Sequence, residues 1–112
     1  MVKTVRRAGD GAIVCARCEL AETFWPKFRG LMGRASLPAD EGILFRPAGS
    51  IHMLFMRFPI DAVFCDRDLR VVKVVRGLRP WRTAAARGAK VTIELAAGAA
   101  AGVEPGDQLE LV

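Results

Sequence analysis

The sequence predicts a mainly β fold with a minor α component. The expected form is a compact sandwich- or barrel-like domain of six to seven short strands, with one short helix near residues 23–32. Three observations carry this reading. Short apolar and β-branched runs recur along the chain, punctuated by Gly, Pro and Asp turn residues. Only one stretch has helical spacing. And 112 residues at 52% hydrophobic and 26% charged supply one core, so residues 1–112 read as a single domain.

In chain order, Gly11 to Leu20 reads as a strand, with Val5 in an earlier one. Thr23 can cap a helix, Pro26 fits its first turn and Gly33 can end it. Phe24, Phe28 and Leu31 then share one face. Gly42 to Phe45 is a strand stopped by Arg46-Pro47, and Ile51 to Met56 is a second, broken by Pro59. Ile60 to Cys65 and Leu69 to Val75 flank Asp66-Arg67-Asp68 as a hairpin. The β-branched run Val71 to Val75 predicts a strand buried on both faces. Gly77 to Gly88 reads as a loop. Val91 to Leu95 alternates, which predicts apolar side chains inward and Thr92 and Glu94 outward. Ala96 to Gly102 suits one helical turn, Glu104 to Asp107 a type II turn, and Gln108 to Val112 a last strand.

The net charge of +5 is unevenly spread. Residues 67–90 carry Arg67, Arg70, Lys73, Arg76, Arg79, Arg82, Arg87 and Lys90 against Asp68 alone. Such a block attracts anionic partners, although Arg-rich composition also arises without any partner. No apolar run approaches the roughly 20 residues of a membrane span, and no secretory signal is visible, so a soluble cytoplasmic protein is expected. Three cysteines without a secretory signal predict reduced thiols. Cys15-Ala16-Arg17-Cys18 matches C-x-x-C, but the odd spacing in a strand predicts opposite faces. No metal site and no cofactor are expected.

Two residues are candidates for catalysis. His52 is the sole histidine and lies in an apolar run; with Asp61 it could form a general base. The plainer alternative is a histidine bonded to a backbone carbonyl. Asp61 sits among apolar neighbours, where a carboxylate needs partners, and Arg57 is the nearest candidate. Ligand-binding candidates are Met32, Met56, Arg57, Asp61, Trp81 and Arg82. Trp81 stands beside Arg82, with Arg76 and Arg79 upstream, a combination that suits stacking plus phosphate contact or, structurally, the cover of a sheet end.

Gly30-Leu31-Met32-Gly33-Arg34, Leu37-Pro38 and Glu41 to Phe45 resemble the opening signature of the domain of unknown function (DUF) 192 family. Phe55 to Phe64 looks like its central block, with Met56, Pro59 and Asp61 in the family's order. Pro80-Trp81-Arg82, Glu94 to Gly98 and Gly106-Asp107 are similar to its later markers. The resemblance covers about residues 20–112. Where many relatives carry Phe-Trp-Met before a Lys-Asn-Thr-like segment, this chain has Leu54-Phe55-Met56-Arg57-Phe58. The resemblance implies a small β-rich fold and no established activity.

The residues therefore support a small binding or accessory module, with a site near Met56, Arg57 and Asp61 and a small-molecule or anionic partner. The alternatives are a hydrolase- or lyase-like enzyme using His52 and Asp61, or a weak nucleic-acid or anion binder using residues 67–90. Sequence-specific nucleic-acid binding is not expected from one tryptophan among arginines.

Overall fold

The alternating and β-branched runs become nine strands among the residues that the computed structural model describes, 1–22, 34–53 and 56–112. These are β1 (Val2–Arg7), β2 (Ile13–Ala21), β3 (Glu41–Phe45), β4 (Ser50–His52), β5 (Ile60–Cys65), β6 (Val71–Leu78), β7 (Thr83–Ala85), β8 (Val91–Ala96) and β9 (Leu109–Leu111). The helix expected near residues 23–32 falls outside the described residues. No helix among the described residues is long and apolar enough to cross a membrane.

Seven strands form one sheet in the order β6-β5-β8-β3-β2-β1-β9, and β4 pairs with β7 in a second, two-stranded sheet. All neighbours are antiparallel except β2 and β3, which run parallel. The sheet is not a closed barrel: its outer strands approach only at one end, where Arg70 bridges Gln108. One face carries a core of Val5, Leu44, Val63, Ile93, Leu95 and Leu109. The other carries Ile43, Phe45, Met53, Met56 and Ile60, against which Ile51 of β4 and Ala84 of β7 pack.

Several expectations are corrected by this topology. Val71 to Val75 is not buried on both faces; β6 lies at the sheet edge, so Val72 and Lys73 are exposed. Residues 77–88 are not all loop, since β6 runs on to Leu78 and β7 forms within the stretch. The strand expected from Ile51 to Met56 ends at His52. Thr92 and Glu94 do not face solvent: β8 is flanked by β5 and β3, and all six of its residues are buried. Ala96 to Gly102 makes successive turns, Ala99 N to Ala96 O and Ala101 N to Gly98 O, instead of a helical turn.

Cys15 and Cys18 do not point to opposite faces. The step from Lys3 to Val5 in β1 is matched in β2 by the longer step from Cys18 to Cys15. That bulge resets the alternation, and both thiols enter the same core. The turn predictions hold. Asp66 Oδ1 accepts from the amides of Asp68 and Arg70 at the β5–β6 hairpin, and Gly106 has the positive φ, 95°, that a type II turn requires.

Candidate functional site

Asp61 follows the first residue of β5, where strand alternation directs it to the face shared by its register partner Leu95. It is 1% exposed. Oδ1 accepts the Gly77 amide at 3.0 Å, and Oδ2 accepts those of Gly98 at 3.0 Å and Ala100 at 2.9 Å. A bulge in β6 makes the first bond feasible: Ile60 pairs with Leu78 and Ala62 with Val75, leaving Gly77 (φ 67°) as surplus chain turned toward the carboxylate. The Arg57 pairing expected from sequence does not form. Arg57 is exposed, and backbone amides already occupy both carboxylate oxygens.

His52 is exposed at the end of β4 and pairs in register with Thr83. It is not among the donors to Asp61. Its neighbour Met53 is fully buried and joins two segments through its backbone: its N–H donates to Arg82 O at 2.6 Å, and its C=O accepts from Trp81 N at 2.7 Å. Trp81 adopts a left-handed backbone (φ 69°), rare for a residue with a Cβ, and is 60% exposed. The small sheet thus brings together His52, Trp81 and Arg82. Met56, by contrast, is buried with Ile43, Phe45, Met53, Ile60 and Leu78. Met32 lies outside the described residues.

Part of the basic block is structural. Arg70 donates to Gly106 O, Lys73 to Ala85 O, and Arg76 to Ala100 O and Val103 O while approaching Glu104. Arg67, Arg79, Arg82, Arg87 and Lys90 are exposed.

Three further features escaped the sequence reading. Glu94 is buried, and burial pushes its carboxyl up to about 7. Only its apolar-polar alternation was visible in sequence, and that pattern pointed outward. The free thiols of Cys15 and Cys18 donate to Asp40 O and Glu19 O and influence one another, which holds Cys15 below and Cys18 above the ordinary thiol range, while burial pushes Cys65 up to about 12. Finally, a shallow cleft of about 390 Å³ is lined by Arg7, Gly9, Asp10, Gly106, Asp107 and Gln108. Arg7 is committed there, pairing with Asp10 at 2.7 Å and Asp107 at 3.9 Å. No group of three or more His, Cys, Asp or Glu among the described residues is arranged to hold a metal ion.

The fold recurs in solved structures. A protein of unknown function from Novosphingobium aromaticivorans matches with a TM-score of 0.83 and 30% identity, over 98% of this chain and 84% of that one. A protein from Sinorhizobium meliloti described as a putative transcription regulator matches with a TM-score of 0.86 and 26% identity, over 99% and 94%. Among curated proteins, a UPF0127 protein of Thermococcus sibiricus is 37% identical over 97 residues, 79% of this chain. The chain spans 60% of the length of that relative. The family model described as uncharacterized ACR matches residues 4–111, so that β2 through β9, most of β1, the Asp61 anchor and the Trp81 turn lie within it: the chain belongs to the DUF192 family.

Proposed function

We propose that this chain is a small non-catalytic binding module that takes an anionic ligand with a flat apolar body at the rim formed by β4 and β7. The observation that carries this reading is the pinning of Trp81 and Arg82 to the backbone of Met53. Trp81, exposed on a backbone held in a rarely used conformation, and the adjacent exposed Arg82 supply the aromatic and cationic groups that such a ligand calls for. His52 and Arg79 are exposed nearby in sequence and pairing, and Arg57 lies beyond buried Met56 as a further cation. Asp61 contributes by fixing the frame; its oxygens already hold three amides.

The hydrolase- or lyase-like alternative is less well supported. The pairing proposed for it needs the Asp61 carboxylate to orient His52, and that carboxylate is engaged elsewhere. The relative described as a putative transcription regulator suits an anionic partner, although Arg70, Lys73 and Arg76 have donors committed to carbonyl oxygens and so fewer to offer phosphates.

Calorimetric titration with adenosine monophosphate, adenosine and inorganic phosphate tests the reading. The monophosphate is expected to bind most tightly, less so as salt rises, and at least tenfold less tightly to Trp81→Ala or Arg82→Gln. Equal binding by both variants, or no binding by the wild type, would overturn it.

A further inference from the structure

The two-stranded sheet turns one face outward. Ser50 pairs with Ala85 and His52 with Thr83, so these four residues share a face, and all four are exposed. Ile51 and Ala84, the pair between them, pack against the core beneath. Trp81 and Arg82 stand where β7 begins, with Trp81 60% exposed. Arg87 and Lys90 follow at its other end, in and after the turn that the Ala89 amide closes on Ala86 O. On an extended β7, Arg82 and Ala86 lie roughly 13 Å apart. None of these three cations pairs with an acidic side chain among the described residues. The stretches that supply the sheet are one-sided in charge: residues 42–60 hold two Arg, residues 69–93 hold seven Arg or Lys, and neither holds an Asp or Glu. A surface that only needs to stay solvated ordinarily mixes both signs.

We propose that this face takes a single-stranded nucleic acid without regard to sequence, with one base stacked on Trp81 and the following phosphates running along β7 toward Arg87 and Lys90. This rests on the rim reading above and extends it from one nucleotide to a strand. Stacking is sequence-tolerant because every base has a π-face. Guanidinium forks match phosphate oxygens, and the Ser50 and Thr83 hydroxyls suit sugar or phosphate contacts, which position a strand without reading it. An acidic peptide would satisfy Arg87 and Lys90 but offer Trp81 no base to stack. A duplex keeps its bases in its own stack and offers only its backbone. The single strand alone uses both the indole and the cations.

The test is fluorescence anisotropy on the full chain with twelve-nucleotide single strands of thymidylate and of deoxyadenylate, beside the titration with adenosine monophosphate. Both strands are expected to bind alike, and about tenfold or more tighter than the monophosphate, because linked contacts reinforce one another. With three phosphates neutralised, log affinity should fall against log salt with a slope of about −2, and Arg87→Gln should lessen that slope by about 0.7. The monophosphate, held at the rim, should bind wild type and Arg87→Gln alike, while Trp81→Ala should weaken both ligands. The proposal is overturned if the strands bind no tighter than the monophosphate, or if Arg87→Gln binds them as wild type does. Competition by a duplex or by polyglutamate as effective as that of a single strand would also overturn it. Each of these outcomes leaves the rim reading standing so long as the monophosphate binds; absence of monophosphate binding defeats both.

Discussion

Asp61 accepts the amide of Gly98 at 3.0 Å, across 37 residues of chain, and so ties the turn after β8 to the start of β5. With the Gly77 and Ala100 amides, one carboxylate fastens three backbone segments. Hydrogen bonds to a charged group contribute about 1.5–3 kcal/mol each, and an orphaned buried donor costs about 1–3. Asp61→Asn retains the shape but turns one acceptor into a donor facing another donor. It is expected to lower stability by about 3 kcal/mol in urea melts, whereas Arg57→Met changes it by less than about 0.5. Because the two side chains are not partners, the double variant should be additive; coupling between them would contradict the anchor described above.

Gly42 offers a steric test. A Cβ there would lie 2.7 Å from Glu94 O, 2.9 Å from Leu95 Cδ2 and 3.0 Å from Cys15 Sγ. The carbonyl cannot move without disturbing the β3–β8 ladder. Gly42→Ala should therefore cost about 1–3 kcal/mol, the usual range for overpacking. Gly9→Ala, with nothing within 4 Å, should stay within about 0.5 kcal/mol by the same thermal or urea measurement.

Glu94 makes stability depend on pH in a definite direction. Burial pushes its carboxyl from the ordinary 4.5 up to about 7 in the folded state. Between those values the folded state binds more protons than the unfolded state, so stability falls as pH rises, then levels off. At about 1.4 kcal/mol per unit, the loss attributable to this group between pH 5 and 8 is about 2–3 kcal/mol. Urea melts at the two pH values should show that loss in the wild type and its absence in Glu94→Gln.

The thiols should react in order. Cys15 is held below the ordinary thiol range by the Cys18 thiol, while Cys18 and Cys65 lie above it. Because thiolate is the reacting form, iodoacetamide under native conditions should label Cys15 first, as peptide mass mapping would read. Prior labelling of Cys65 would argue against the Cys15–Cys18 contact.

The local periodicities that specify strands were readable, and so were the turn residues Asp66 and Gly106. What they could not reveal was neighbourhood. Thr92 and Glu94 alternate as they would in a strand with one wet face, but β8 has strands on both sides and cover on both faces. Val71 to Val75 looks like an interior strand and lies at an edge. Bulges were equally hidden, and one of them puts Cys15 and Cys18 on one face against the two-residue period. Asp61 stood out in sequence because a carboxylate among apolar residues needs partners. Those partners are amides of Gly77, Gly98 and Ala100, backbone groups that carry no signature of their own.

The pairing of β1 with β9 bears on how the molecule assembles. Val5 lies beside Leu111, and Arg6 reaches Glu110 at 3.2 Å across 104 residues. The same late segment bridges Gln108 to Arg70, so it meets its neighbour β1 and the approach to β6, the opposite outer strand, at once. Neither contact can form until nearly all the intervening chain has been gathered, and the entropy of closing such loops is lost before any pairing repays it. A sheet wired this way belongs to the slow, non-local class of folders, with refolding expected in milliseconds to seconds by stopped flow. Until β9 docks, the backbone groups at the free edge of β1 stay open to a neighbouring chain, so crowding during refolding should favour aggregates while the finished molecule resists them.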